Sequence, residues 1–326
     1  MDVYFYKYDP HFNGKTGKRI KNPIVNQEIK QFENILIEVL KDLSLKVKEL
    51  SRFDVEKIPP RINALNILFH GDKLDYPNID LFYMQMHLKT QFQLNKSGWG
   101  VANSELEGVN TKAVDETKLF NSAFIKFKKE LAKHGTKLPK RGKIYQSLPD
   151  NDYILVALQT PADTVIKKYS KLSVTDLISQ IRILSKKTNQ NFLIKLHPNT
   201  VTNKKILFSL ACNTMFRKNV KIYMGDIAEA IENSSGVIVI NSGVGFEALL
   251  RSKPVFTLGK ADYSSAAYCE NDLSLEEWCD ILPVKSPTMF FDGYLKYNML
   301  LSDQSDLKCK LLKIITDAIK KNEFLK

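Results

Sequence analysis

Long apolar runs are missing. No stretch of the 326-residue chain approaches the ~18 consecutive apolar residues of a membrane-spanning helix, which excludes an α-helical integral membrane protein. Cysteine is scarce. Cys212, Cys269, Cys279 and Cys309 form no CxxC pair and stand at no zinc-like spacing with histidine. A disulfide framework and a zinc finger are both excluded, and small free or buried thiols in a reducing compartment are expected. The opening MDVYFYKYDPHF has no apolar core of the signal-peptide kind. A cytoplasmic protein is expected, at most peripheral to a membrane. GxxxxGK[ST], GxSxG and HExxH are absent, which argues against a P-loop, a serine-hydrolase elbow and a zincin. No DxD follows a strand, so no metal-held sugar diphosphate is suggested. Internal repeats and low-complexity segments are also missing.

What is present is an ordinary globular composition, 44% apolar and 26% charged, with a net charge of +12 and a pI near 9.3. A chain of this length forms one large or two medium domains. The basic excess suits an anionic partner, or else a lysine-rich bias spread over solvated faces. The lysines never form a block. Aromatics do not interleave with them as on an RNA-binding sheet, so no nucleic-acid partner is expected.

The second half is the more regular. YILVAL, NFLIKL, NVKIYM, GVIVI and KPVFTL are short, β-branched, nearly continuous apolar runs, as in a parallel sheet covered on both faces. Helical patterns lie between them: SVTDLISQIRILSKK, with Ser173 or Thr175 as cap, DIAEAIENS and VGFEALLRS. The alternation predicts a Rossmann-like domain. In the first half VYFYKY, NILF and LFYMQM read as strands. NQEIKQFENILIEVLKDLSLKVKEL reads as one long amphipathic helix, and TKLFNSAFIKFKKELAKHG as another ending at Gly135. KLPKRGKIYQSLPDND reads as a linker. The predicted division is 1–146, 147–303, and a basic amphipathic helix over 304–326 that packs toward the first domain or lies on an acidic membrane.

Ligands of such sheets bind beyond the carboxyl ends of the strands, so the residues after each apolar run are the candidates. Gln159 follows YILVAL, and Asp163 follows in a Pro-containing loop. Asp163 reads as a helix cap, or as a carboxylate that binds sugar hydroxyls, takes a proton or attacks an anomeric carbon. His197 and Pro198 follow NFLIKL, with Lys195 nearby: a phosphate-binding imidazole or a structural turn. Gly225 opens a tight turn before Asp226, where backbone groups would face a base, or where the turn is merely capped. Asn241, Ser242 and Gly243 lead from GVIVI into a helix whose first N–H groups favour an anion. Glu247, further along, would accept ribose hydroxyls, or would only help to stabilise the helix.

QTPAD, KLHPNT and NSGVGFEALLRSKPVFTLGKADY together resemble the capsular-polysaccharide Kdo transferases of Gram-negative bacteria, the KpsC/KpsS kind. The likeness covers about the last half of the chain. FQLNKSGWGVANS is similar, more loosely, to a Gly-Trp or Gly-Tyr segment of that family's acceptor domain. The resemblance implies a GT-B fold, two Rossmann-like domains with the active site in the cleft between them. It implies CMP-Kdo as donor, no cofactor or metal, an acidic glycolipid or glycan acceptor, and retention of configuration. It casts Asp163 as nucleophile, Ser242, Gly243 and His197 as phosphate contacts, and Glu247 as the ribose ligand. Gln159 and Lys195 are assigned to the sugar, and Glu105 to the role of general acid or base. A transferase or epimerase using a UDP- or GDP-sugar, and a non-catalytic binder of anions, are the competing readings. Asn241-Ser242 departs from the Ser-Ser or Ser-Thr frequent in the family, and the chain has room for one transferase module only.

Overall fold

The computed structural model describes residues 1–13, 18–19, 25–102, 123–136, 146–215 and 217–323. The chain forms two compact α/β units. One comprises Met1–Gly108, Glu130–Lys137 and Gly293–Lys326, the other Val109–Lys129 and Leu138–Asp292. The division therefore differs from a single cut at 146/147. Helices α2 (Ala123–His134) and α9 (Thr288–Tyr297) each have residues in both units.

The first unit holds a six-stranded sheet in the order β13-β7-β6-β5-β1-β4. Its members are β1 (Asp2–Lys7), β4 (Lys46–Ser51), β5 (Ala64–Phe69), β6 (Leu81–Gln85), β7 (Gln91–Asn95) and β13 (Met299–Leu300). β4, β1, β5 and β6 run parallel, and β7 and β13 pair antiparallel at one edge. A short antiparallel pair, β2 (Phe12–Asn13) and β3 (Lys18–Arg19), stands apart. Helix α1 (Gln27–Asp42) is capped by Asn26, whose side chain accepts from Ile29 N at 3.1 Å.

The long helix expected over 26–50 stops at Asp42. Ser44 takes φ 58°, and 46–51 becomes a strand with six parallel pairings to β1. Leu45-Lys46-Val47-Lys48 alternates apolar and polar, so the segment serves either period, and pairing with β1 overrides helix propensity. The last helix, α10 (Gln304–Glu323), places Leu307, Leu311, Ile315 and Ala318 in one core cluster with Phe32, Leu36 and Leu40 of α1. That apolar stripe is therefore covered by protein. No described helix is long and apolar enough to cross a membrane.

The second unit is the regular one. Its five strands are all parallel, in the order β10-β9-β8-β11-β12: β8 (Ile154–Ala157), β9 (Phe192–Lys195), β10 (Val220–Tyr223), β11 (Gly236–Val239) and β12 (Val255–Thr257). The chain moves outward through β8, β9 and β10, then returns to the other side of β8 for β11. The direction of winding thus reverses between β8 and β11. Connecting helices are α3 (Thr164–Tyr169), α4 (Val174–Lys187), α5 (Lys204–Thr214), α6 (Ile227–Glu232), α7 (Gly243–Leu250) and α8 (Leu275–Ile281). Ser173 and Asp176 close a capping box on α4. All five apolar runs of the second half contain strands, and the two-domain Rossmann-like class is the observed one.

Truncating Leu311 or Ile315 to Ala should cost about 2–5 kcal/mol each, as for other fully buried aliphatic side chains. Denaturant titration of the variants would show this. A cost under about 0.5 kcal/mol would mean that α10 does not belong to this core.

Candidate functional site

Sheet register brings most of the candidate residues to one edge of the second unit. Ala157, Lys195, Tyr223 and Val239 are register neighbours at the carboxyl ends of β8, β9, β10 and β11. Gln159, His197, Gly225 and Asn241 each lie two residues beyond them. Ligands of open α/β sheets bind at such an edge, at the point where strand order reverses. Here that point is occupied by Gln159 and Asn241.

These two side chains are buried and clasp each other. Gln159 Nε2 donates to Asn241 Oδ1, and Asn241 N donates to Gln159 Oε1, both at 3.1 Å. Asn241 Nδ2 also donates to Val165 O in the first turn of α3, at 3.1 Å. The expected sugar contact of Gln159 is thus matched here by an internal role, holding the two strand ends and α3 together. Asp163 caps α3: its Oδ1 accepts from Val165 N at 3.0 Å. Its second oxygen has no hydrogen bond among the described residues.

Ser242 caps α7, its hydroxyl accepting from Val244 N at 3.3 Å, and its carbonyl accepts from Gly245 N at 3.0 Å. Tyr263 OH donates to the same carbonyl. A Cβ at Gly245 would lie 2.4 Å from that hydroxyl, so the close approach requires glycine. Phe246 anchors α7 from behind against Phe127, Phe291 and Tyr263, at ring-centroid distances of 6.0, 5.2 and 6.2 Å. The N–H groups opening α7 therefore start from a fixed position, and that of Gly243 has no acceptor among the described residues.

His197 turns the chain after β9. Its Nδ1 accepts from Asn199 N at 3.1 Å, which leaves the proton of the neutral ring on Nε2. Its carbonyl accepts from Thr200 N and Thr200 Oγ1, both at 2.8 Å, while Pro198 is exposed. Gly225 sits against the Tyr223 ring, where a Cβ would come within 2.3 Å of the phenol oxygen. Asp226 caps α6 through Ala228 N and Glu229 N.

Two buried charges lie on these elements. Lys195 is 8% exposed, and its Nζ donates to Leu196 O at 3.0 Å. Burial holds its pKa below the usual lysine range, and Asp226 acts in the opposite direction. Glu247 is 6% exposed. Burial raises its pKa, against the pull of Arg251, whose Nη1 lies 3.0 Å from Oε1, and Asp226 adds to the rise. Arg251 reaches Glu232 as well, at 3.5 Å. Glu247 was expected to face a ribose; in this structure its partner is Arg251, one turn on.

The structure thus gathers Gln159, Lys195, His197, Gly225, Asn241, Ser242 and Gly243 at one edge, with Glu247 on the helix that starts there. Glu105 lies outside the described residues. Arg251 and Tyr263 are additions. Arg251 was detectable from its i,i+4 spacing to Glu247. Tyr263 reaches Ser242 from beyond β12, and no local pattern marks it. Among the described residues no group of three His, Cys, Asp or Glu side chains is placed to hold a metal ion.

One unit with a mixed six-stranded sheet and one with an all-parallel five-stranded sheet define a class, the two-domain Rossmann-like α/β proteins. Within it, residues 125–302 match the model of the capsule polysaccharide biosynthesis protein family, more than half of the chain, and the chain belongs to that family. Among solved structures, the fold is similar to two Kdo transferase domains of Thermosulfurimonas dismutans KpsC. The β-Kdo 2,7-transferase matches with TM-score 0.55 and 18% identity, over 96% of this chain and 99% of that one. The β-Kdo 2,4-transferase matches with TM-score 0.53 and 13% identity, over 96% and 98%. Protein FixF of Sinorhizobium fredii is 33% identical over 117 residues, 34% of this chain and 27% of that protein. The aligned part spans about a quarter of that relative. The resemblance carried by QTPAD, KLHPNT and NSGVGFEALL thus holds at the level of the family.

Because burial raises Glu247, the folded chain keeps its proton to a higher pH than the unfolded chain, whose Glu titrates near 4.5. The folded state binds more protons across that window, so this group's contribution to stability falls as pH rises from 4.5 through the raised value. Glu247→Gln removes the slope. The stability of the variant relative to wild type should therefore increase with pH across the window in urea titrations. A relative stability that stays flat or declines would show that burial does not dominate at Glu247.

Proposed function

We propose that this protein is a glycosyltransferase of capsule or surface polysaccharide synthesis, taking Kdo or a related sugar acid from its CMP ester to an acidic glycolipid or glycan. The observation that carries the reading is the presence, along the carboxyl edge of the second unit's sheet, of a helix N-terminus, an imidazole and a carboxylate after β11, β9 and β8, in a chain of this family. The α7 start and His197 suit the phosphate of CMP. Departure of CMP from a ketosidic centre needs stabilisation of the leaving phosphate, and oriented N–H groups supply it without waiting for solvent to reorganise. No metal enters this reading. Buried Lys195 suits the carboxylate of the sugar acid. Glu247 would reach the ribose by exchanging part of its Arg251 contact.

Asp163 is read as the nucleophile of a retaining displacement. Its Oδ1 is held by Val165 N, and Oδ2 is the atom that attacks. The carboxylate captures the oxocarbenium-like carbon as CMP leaves, and the acceptor hydroxyl then displaces it with loss of a proton. The base for that proton is assigned to Glu105.

Thermal melting with millimolar CMP, UDP and GDP tests the donor class. CMP should raise Tm, by an amount set by its concentration over Kd, and UDP and GDP should not. His197→Ala and Gly243→Pro should lose the shift, the latter by removing an N–H. A shift with UDP or GDP alone would keep the fold and discard the CMP sugar. An equal CMP shift in both variants would discard the site.

A further inference from the structure

Helix α5 is apolar on the wrong side as well as the right one. Ile206 and Leu210 face the core beneath α4. On its outer side Leu207, Phe208 and Met215 are exposed, Phe208 at 71% and Met215 at 67%. A surface helix normally turns polar residues outward, and one that is apolar all round is normally enclosed. Ile222 extends the patch on the edge strand β10. It shares its face of the sheet with Val220, which lies in the same core as Ile206, and it is 37% exposed. Neighbouring large apolar groups left open in this way mark a surface made for contact.

Charge says which contact. From Leu177 to Gly225 the chain contains no Asp or Glu, and nine Lys and Arg fall within it. Lys204 and Lys205 open α5, and Arg217, Lys218 and Lys221 follow it into β10. Asp176, which precedes this stretch, is engaged in the capping box of α4 and feels the charge of Lys205. Basic residues ringing exposed Phe, Leu and Met on a helix form the pattern that enters the headgroup boundary of an anionic bilayer.

We propose that the outer face of α5 with the β10 edge, centred on Phe208 and Met215, is a docking surface for an anionic phospholipid membrane. Phe208, Leu207 and Met215 enter the acyl boundary, while the lysines and Arg217 meet the headgroups. A nucleic acid would use the cations but gain little from aliphatic side chains at the crest of a helix. A second copy of the chain pairing along β10 is disfavoured twice. The copies would bring like charges together, and Gln146 already bonds Ile222 O and Met224 N at 2.9 Å each. The apolar stripe of α10, the other basic helix, is used up inside the first unit. The proposal does not depend on the identity of the sugar donor.

Flotation of the full chain with phosphatidylcholine vesicles, with and without phosphatidylglycerol, tests it. The protein should float with the anionic vesicles and poorly with the neutral ones. Phe208→Asp with Met215→Asp should weaken flotation about tenfold or more, with Tm unchanged. Leu312→Asp, exposed on α10, should leave flotation intact. If the double Asp variant melts early, Phe208→Ser with Met215→Gln replaces it, with the same expected loss. Flotation as strong in the double variant as in wild type would overturn the proposal. So would a loss that follows Leu312→Asp instead. So would a chain that ignores vesicles while the double variant disrupts self-association or oligonucleotide binding.

Discussion

Two amides hold the candidate site together. Gln159 and Asn241 exchange a pair of hydrogen bonds across the ends of β8 and β11, and Asn241 adds a third to α3. Each bond contributes only about 1 kcal/mol net, but losing either partner strands buried polar atoms at a cost of about 1–3 kcal/mol. The pair sits where the sheet reverses, so the starts of α3 and α7 inherit their position from it. The Asp163 carboxylate and the Ser242 cap are therefore placed by interactions that use neither residue's free chemistry.

Around this clasp the second unit concentrates charge in a low-dielectric setting. Asp226 acts on both of the buried groups Lys195 and Glu247, and Glu247 pairs with Arg251 one turn further along α7. Burying Lys195 and Glu247 costs desolvation free energy that their charged neighbours return only in part. The raised Glu247 and lowered Lys195 are the visible residue of that imbalance. Perturbed ionisable groups near strand ends are what a binding site often contains.

Much of this was legible in the sequence because the second unit is locally consistent. Its strands are buried on both faces, so each reads as an apolar run, and the residue after each run is by construction at the ligand-binding edge. Ser173, Asp163 and Asp226 cap helices where the pattern places them. Other features depended on tertiary partners. Residues 46–51 became a strand because β1 offers an edge, not because the segment demands it. The Gln159–Asn241 clasp joins residues 82 apart, and Tyr263 meets Ser242 from 21 residues on. The exposed face of α5 was hidden by its own composition, since its apolar residues look like core until their exposure is seen.

A crystal structure of the protein with CMP would test the central claim most directly. The account predicts the phosphate within hydrogen-bond distance of Gly243 N and beside His197, with the ribose toward Glu247, beyond the carboxyl ends of β8 to β11. CMP bound elsewhere, or the α7 N-terminus left without it at saturating concentration, would contradict the assignment of this edge to the donor nucleotide.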